Sequence, residues 1–395
     1  MRYRLLTLAL AAAVALLVGC ASSSEVAIAP LPAGNNQADL GLGPGVRPLS
    51  FGPGDKSAPS WSPDGSRISF ILDGYVVDKP LDTQDLQRWT TKDFGAEEAE
   101  YNSKGGLTIL GQNNSSNSGA PQPAEDSGAV SSIYQTVPRK ESFRLNKITG
   151  NALVMIPGPD GKGLVVALKM NSFQSGVALI GSDGWIDQLY KKLIGGQVTG
   201  LSLSPKGDQV VLSVRGAATF ALYVLNLSDG SSRVLARLKP ELEVFGAPQW
   251  TSNGIYYVAG DKSSEKTDAA PYKLYRIKTG SNTPEPAPGV GEDFIASSLR
   301  ASPDGKQLAV IGRRNPNSLT NLYIINVATN DLQAVTSNDD MEIKTGPEDL
   351  AWSHSGKDVA IIASGAVTSL KVHAAPASSL LADFYNLYEV PVNEQ

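Results

Sequence analysis

Few side chains of this protein are of the types that carry out catalysis. The 395 residues include two histidines, His354 and His373, and a single cysteine, Cys20. His354 occupies the proline position of a recurring turn, and His373 has no Cys, His or Asp neighbour at metal-ligand spacing. The sequence contains no Gly-x-Ser-x-Gly elbow, no His-Glu-x-x-His pair and no glycine-rich phosphate loop. We therefore predict no catalytic residue, cofactor or metal, and interpret His354 as a surface substitution.

Two acidic clusters offer the remaining candidate chemistry. They are Glu97-Glu98-Ala99-Glu100 and Asn338-Asp339-Asp340-Met341-Glu342. Carboxylates are ligands that Ca²⁺ prefers, but the spacing in both clusters does not match the ligand positions of an EF-hand loop. Solvated, charged loops are the favoured interpretation of both clusters.

The elements that position these residues are set by a short pattern that returns along the chain. Trp61-Ser62-Pro63-Asp64-Gly65 is its clearest copy, and Ser-Pro-Asp-Gly favours a type I turn. The runs that follow each copy, such as Gln209–Val214, are apolar and strand-like. The copies end in seven glycines, with gaps of 40, 56, 46, 47, 51 and 51 residues: Gly65, Gly105, Gly161, Gly207, Gly254, Gly305 and Gly356.

A period of this length marks an array of supersecondary units that bury their faces against one another. Seven copies predict an all-β protein, a β-propeller of seven four-stranded blades, with six or eight blades as variants. The alternative is a β-sandwich that carries scattered turns of this kind. Near the C-terminus, Asn386–Val392 has the sequence of a third strand. We expect residues 47–51 to supply the outer strand that the last blade lacks, because an unclosed ring would expose a strand edge.

These turns and strands resemble the TolB-like family of WD40-like propellers, whose mark is an aromatic-Ser-Pro-Asp-Gly turn followed by Ile-Ala-Phe-like strands. The resemblance covers residues 45–393 and implies the propeller fold, but it says little about activity. The α/β domain of TolB has no counterpart here, and the Trp-Asp and Gly-His pairs of true WD40 repeats are absent from the sequence. The repeats and the N-terminus are also similar to those of LpqB lipoproteins, without room for the additional N-terminal domain of that family.

The N-terminus has the layout of a secretory signal. Met1–Arg4 is basic, and Leu5–Val18 is apolar apart from Thr7. This stretch is short for a permanent membrane span, and it ends in Leu17-Val18-Gly19-Cys20, which looks like the lipobox of bacterial lipoproteins. The resemblance implies cleavage before Cys20 and acylation of Cys20. A free, buried cysteine is the alternative.

Lipidation would hold the protein on the extracytoplasmic side of a bacterial membrane, and the sequence leaves both the inner and the outer membrane open. Several acyl chains give stable anchoring, whereas a single chain gives marginal binding. We expect three parts along the chain: a lipoprotein signal peptide (1–19), a flexible tether rich in Ser, Ala, Pro, Gly and Asn (20–45), and the β-propeller (46–395).

The charge balance narrows the class of partner. The chain has 34 basic and 39 acidic residues and a net charge of −5, and loss of the signal removes two bases and no acid. No basic cluster stands out in the sequence, so binding to nucleic acid is disfavoured. With Cys20 as the only cysteine, the chain forms no internal disulfide.

The lengths of the connections differ between the two faces of the predicted disc. In a blade with strands A to D, the A–B and C–D turns lie on one face, here called the turn face, and the B–C and D–A connections lie on the other, the loop face. The A–B turns are short, whereas long segments fall on the loop face: 111–129, 260–270, 312–320 and 364–385 between B and C, and 286–294 and 337–348 between D and A. Insertions gathered on one face of a repeat array often mark its binding face.

We therefore predict that the loop face binds a partner. The candidate residues are Arg313 and Arg314, whose forked donors suit carboxylates, and the acidic Asp339, Asp340 and Glu342. The favoured function is a non-catalytic scaffold that binds an envelope protein, a peptide or an envelope polymer. The alternative is a polysaccharide lyase or glycosidase that uses carboxylates around the central channel. Inward-facing charged side chains would favour the enzyme, and a neutral channel with an apolar patch on one face would favour the scaffold.

Overall fold

The structure is a computed structural model. It describes residues 42–43, 45–50, 53–83, 85–90, 94–102, 105–112, 131–135, 143–144, 151–181, 185–190, 193–261, 272–338, 341–364 and 385–392. The chain divides into two units, residues 1–30 and 31–395, and the first unit lies outside the described residues. Within the described ranges, no helix is long and apolar enough to cross a membrane.

The described residues form seven antiparallel sheets, which are the seven predicted blades. Strand β1 (Arg47–Pro48) comes first and belongs to the last blade. Blade 1 contains β2 (Lys56–Trp61), β3 (Arg67–Leu72), β4 (Tyr75–Pro80) and β5 (Gln87–Arg88). Blade 2 contains β6 (Ala96–Tyr101), β7 (Leu107–Gly111), β8 (Ser132–Gln135) and β9 (Phe143–Arg144). Blade 3 contains β10 (Asn151–Pro157), β11 (Leu164–Asn171), β12 (Gln174–Ile180) and β13 (Ile186–Leu189), with β14 (Ile194–Gly195) paired to the start of β12.

The remaining four blades repeat this order. Blade 4 contains β15 (Gln197–Leu203), β16 (Gln209–Arg215), β17 (Phe220–Asn226) and β18 (Ser232–Arg237). Blade 5 contains β19 (Leu242–Thr251), β20 (Gly254–Asp261), β21 (Lys273–Lys278) and β22 (Pro284–Pro286). Blade 6 contains β23 (Ile295–Ala301), β24 (Gln307–Arg313), β25 (Asn321–Asn326) and β26 (Leu332–Ala334). Blade 7 contains β27 (Glu342–Ile343), β28 (Leu350–Trp352), β29 (Asp358–Ser364) and β30 (Tyr385–Pro391).

The recurring turn joins strands A and B of its blade, as the sequence predicts. In the first copy, the Gly65 amide donates to the Ser62 carbonyl over 2.9 Å, and Asp64 Oδ1 accepts from the Ser62 hydroxyl at 2.6 Å. Gly65 has a φ of +69°, a left-handed conformation that residues with a Cβ rarely adopt. The same glycine-to-serine backbone bond recurs in three further copies, at Gly207, Gly305 and Gly356. Local turn chemistry therefore defines one corner of each of these blades.

The hydrophobic core lies between neighbouring blades rather than within any one of them. One cluster joins Val165 and Ala167 of blade 3 to Val210 and Leu212 of blade 4, all fully buried. Strand B of each blade is covered on both faces by the adjacent blades, which explains why the sequences of these strands are continuous apolar runs. No blade could bury its faces alone, so each depends on the blades beside it.

The ring is closed by the N-terminal strand, which confirms the sequence prediction for residues 47–50; Phe51 lies outside the described residues. Strand β1 pairs antiparallel with β30, and Arg47 lies opposite Glu389 at an ion-pair distance of 2.5 Å. The Leu49 amide donates to the Leu387 carbonyl over 2.7 Å. Leu42, upstream of β1, is fully buried against blades 6 and 7. The inner strand of blade 7 differs from the others, because β27 and β28 both pair with β29 and leave residues 344–349 between them.

Candidate functional site

Polar side chains link the inner strands of neighbouring blades around the ring. Gln249 Oε1 accepts from the Ala301 amide at 3.1 Å, and Ser298 Oγ donates to the Gly346 carbonyl at 2.7 Å. Two tryptophans of the recurring pattern do the same with their indole N–H groups. Trp352 donates to a carbonyl of blade 6 over 3.0 Å, and Trp61 to one of blade 7 over 3.3 Å. These bonds fix the positions of the strands that line the axis.

Two glutamates of β6 lie among these inner strands. Glu98 and Glu100 alternate with Ala99 and therefore share one side of the strand. The Ser60 hydroxyl of blade 1 donates to Glu100 Oε2 over 2.6 Å, and the Glu98 carboxylate accepts from the Met155 amide of blade 3. Each carboxylate thus bonds a different neighbouring blade.

An arginine and a third glutamate complete the group. Arg300 of β23 forms an ion pair with Glu348, which lies between β27 and β28, and its guanidinium also acts electrostatically on Glu98 and Glu100. Blades 6 and 2 are separated by blades 7 and 1, so their side chains interact only where the inner strands converge on the axis. We call Ser60, Glu98, Glu100, Arg300 and Glu348 the channel cluster.

Burial and, to a smaller extent, the shortage of positive charge shift the pKa values of the glutamates Glu98 and Glu100 in the channel cluster. Burial raises the pKa of Glu98 well above its ordinary value, and the neighbouring charges of Glu348 and Glu100 raise it further. Burial also raises the pKa of Glu100, although its bond from Ser60 and the charge of Arg300 act in the opposite direction. A carboxyl whose pKa is raised beside other carboxyls is an arrangement that general acid–base catalysis uses, and a group of carboxyls also suits recognition of a basic group.

The interpretation of Glu97–Glu100 as a solvated loop was wrong. These residues form most of inner strand β6, and only Glu97 is exposed, where it accepts from the Ser131 hydroxyl at 2.8 Å. The sequence did carry a signal for a strand. The run lies just ahead of the turn copy that begins at Tyr101, where strand A of a blade is expected, and glutamate alternates with alanine before Tyr101. No arrangement of three or more His, Cys, Asp or Glu suited to a metal ion occurs in the described ranges.

The loop-face candidates fall on blades 6 and 7. Arg313 ends β24 and donates to the Pro316 carbonyl of its own loop at 3.4 Å, while Arg314 is exposed. Glu342 is exposed in β27 and accepts a hydrogen bond from the Tyr385 hydroxyl, whose pKa burial and this contact raise. Asp339 and Asp340 lie outside the described residues, as do Cys20 and His373. His354 is exposed in its turn, as expected.

A charged network lies beside Glu342 at the junction of blades 7 and 1. The buried Lys56 ammonium donates to the Tyr385 carbonyl over 2.9 Å, and Lys344 bonds Asp55 at 3.0 Å. Burial lowers the pKa of Lys56 to about 8, and the charges of Asp73 and Asp55 oppose the shift. Glu342 is therefore part of the ring junction, whereas Arg314 is the candidate best separated from it.

Comparison with known proteins supports the fold alone. No protein-family model and no curated protein matches the chain. An oligogalacturonate lyase in complex with manganese is 12% identical, with a TM-score of 0.58 over 88% of this chain and 93% of that one. The propeller domain of the Trilobed protease from Pyrococcus furiosus is 11% identical, with a TM-score of 0.56 over 88% and 97%. That propeller has an open velcro topology, whereas here β1 pairs with β30.

A TolB from Agrobacterium tumefaciens is also among the similar structures. It is 11% identical over 88% of this chain and 97% of that one, at a TM-score of 0.44, which is too low to carry an argument. The lyase and the protease propeller domain both come from enzymes, and the chain shares the propeller architecture with these two. The architecture does not by itself select a function.

Proposed function

We propose that this protein is a lipid-anchored, extracytoplasmic β-propeller that acts as a non-catalytic binding scaffold for an envelope protein, peptide or polymer. The observation that carries the proposal is the difference between the two faces of a rigid, closed ring. The turn face is built from short A–B turns with repeated internal hydrogen bonds, as in Ser302–Asp304. Among the described residues, the loop face carries connections 287–294 and 314–320, the second with the exposed Arg314, whereas the predicted long connections 111–129, 260–270 and 364–385 lie mostly outside those residues. Variable loops on a rigid scaffold are the usual place for recognition.

The test of the binding face is capture of partners from crosslinked membranes by paired variants. Arg314→Glu reverses an exposed charge on the loop face, and Lys306→Glu does so on the turn face, where the Lys306 side chain is 77% exposed. Neither solvated substitution should change the free energy of unfolding by more than about 0.5 kcal/mol. We expect Arg314→Glu to weaken capture and Lys306→Glu to leave it intact. The reverse result in folded proteins would assign binding to the turn face.

The anchor is tested separately at Cys20. Mass spectrometry of the N-terminal peptide should show acylated Cys20 with residues 1–19 removed. Cys20→Ser should leave the protein unprocessed or release it from the membrane fraction, with unchanged thermal unfolding. A wild-type protein that is recovered in the soluble fraction with Met1 intact and no acyl mass would contradict the anchor and leave the binding face untouched.

The channel cluster favours a second candidate function, a glycosidase or polysaccharide lyase. In this candidate, Glu98, whose pKa burial raises, is the acid, and Glu348 or Glu100 is the base or nucleophile. The likeness to an oligogalacturonate lyase concerns the fold and adds nothing to it. Turnover is measured on neutral and uronate-containing oligosaccharides with Glu98→Gln and Glu348→Gln, and with Glu97→Gln as the exposed control. Turnover that both channel variants abolish and Glu97→Gln retains would establish the enzyme; capture without turnover would support the scaffold.

A further inference from the structure

The tip of blade 3 carries exposed apolar side chains on the loop face. Phe173 lies at the hairpin between β11 and β12 and is 77% exposed, and Met170 and Leu193 beside it are exposed as well. Met170 and Leu193 flank Gly176, because a Cβ there would lie 3.3 Å from Met170 Cγ and 3.7 Å from Leu193 Cδ2. Side chains of this size gathered at one tip point to a contact surface.

Basic side chains border this tip. Lys169 precedes Met170, and Arg215 and Lys239 are exposed on the same face of blade 4. The patch is continuous through the backbone, because the Phe173 carbonyl accepts from the Gly196 amide at 2.7 Å, and the next residue, Gln197, pairs with Arg215. Glu241, two residues after Lys239, is acidic and exposed. A basic rim is notable on a chain whose net charge is −5.

The chain enters the propeller on the same face. The Leu42 carbonyl accepts from the Ser337 amide over 2.9 Å, and Ser337 lies in the connection between blades 6 and 7 on the loop face. The described part of the chain therefore begins on the loop face, and an anchor upstream of Leu42 would be joined to the ring from there. This step rests on the anchor at Cys20 that the proposed function includes.

We propose that Met170, Phe173 and Leu193, with Lys169, Arg215 and Lys239, form a docking surface for an anionic lipid bilayer. The aromatic and aliphatic side chains enter the boundary between headgroups and acyl chains, where amphipathic surface elements bind. The cations lie over the headgroups, whose negative potential attracts each of them. Docking turns the loop face toward the membrane, so the partner that this face recognises is one exposed at the membrane surface.

The test places an environment-sensitive fluorophore on the full chain through a new thiol at Phe173→Cys. Trp185→Cys is the matched control, since Trp185 is an exposed aromatic at the opposite end of the same blade. Acylated Cys20 takes no label, so labelling of the wild type reports failure of the anchor independently. The probe is a vesicle of phosphatidylcholine, alone or mixed with phosphatidylglycerol.

We expect blue-shifted emission and protection from aqueous iodide at position 173, on the mixed vesicles only, and neither effect at position 185. Arg215→Gln and Lys239→Gln should each lower the equilibrium constant between undocked and docked protein about fivefold, the effect of one cation near an anionic surface. If iodide quenches the fluorophore at position 173 as strongly as the one at position 185 on vesicle-attached protein, the proposal is overturned. Protection that rises with protein concentration in the absence of vesicles would overturn it in favour of a second copy of the chain.

Discussion

Closure of the ring by the N-terminal segment is open to a direct energetic test. Leu42 is fully buried in a cluster with blades 6 and 7, and Leu49 is buried in a separate cluster with blade 1. Replacing a buried leucine with alanine costs about 2–5 kcal/mol. The two sites share no cluster, so their effects should add to about 4–10 kcal/mol. Both side chains belong to the N-terminal segment, so their loss weakens its attachment first, and the double variant should release the segment.

Release of the segment has a local signature in β30. The Leu387 amide bonds the Ser50 hydroxyl over 3.0 Å, and the Leu387 carbonyl accepts from Leu49. Hydrogen exchange at Leu387 should therefore accelerate in the Leu42→Ala/Leu49→Ala variant, in step with a lower urea midpoint. An opened edge also invites pairing with other chains, so aggregation should rise.

Two controls separate closure from general destabilisation. Val211→Ala removes a fully buried side chain of blade 4, far along the chain from the junction, and should lower the urea midpoint without a selective loss of protection in β30. Leu319→Ala, at a leucine that is 46% exposed, should change the free energy of unfolding by less than about 0.5 kcal/mol. Unchanged exchange at Leu387 in the double variant, despite a lower midpoint, would refute closure by this segment.

Three further predictions concern the channel, the turns and the inner strands. Because burial raises the pKa of Glu98, its ionisation destabilises the fold as the pH rises above the ordinary glutamate range. Glu98→Gln should therefore raise the melting temperature at neutral pH and leave it unchanged in acid. The exposed Glu97→Gln should leave the melting temperature unchanged at both pH values. Gly65 and Gly291 both have open space where a Cβ would lie, but only Gly65 has a positive φ. Gly65→Val should therefore cost at least about 1–2 kcal/mol in urea unfolding, and Gly291→Val much less. Trp352→Phe removes the indole hydrogen bond to blade 6 and should lower the free energy of unfolding by about 0.5–1.5 kcal/mol, measured in urea. An unchanged free energy would mean that this bond does not stabilise the ring.

The sequence by itself determined the elements that local chemistry encodes. The turn at Ser62–Gly65 needs only its own hydroxyl, its own carboxylate and a glycine that tolerates positive φ, so its copies could be recognised without tertiary structure. Their spacing gave the number of blades. The strand-like residues ahead of Lys56 and the third-strand sequence of Asn386–Val392 together predicted that β1 closes the ring, because a sheet edge has to be covered.

Only the tertiary structure decided which side chains meet. Glu100 and Arg300 are far apart in the chain, and they interact because seven blades bring inner strands from four of them to one axis. The break in the inner strand of blade 7, which places Glu348 beside Arg300, follows no local signal. The surface around Phe173 was likewise decided by the tertiary structure, since its basic neighbours Arg215 and Lys239 come from the next blade. Turns are encoded by residues in sequence contact, whereas sites in a propeller are made by the closure of the ring.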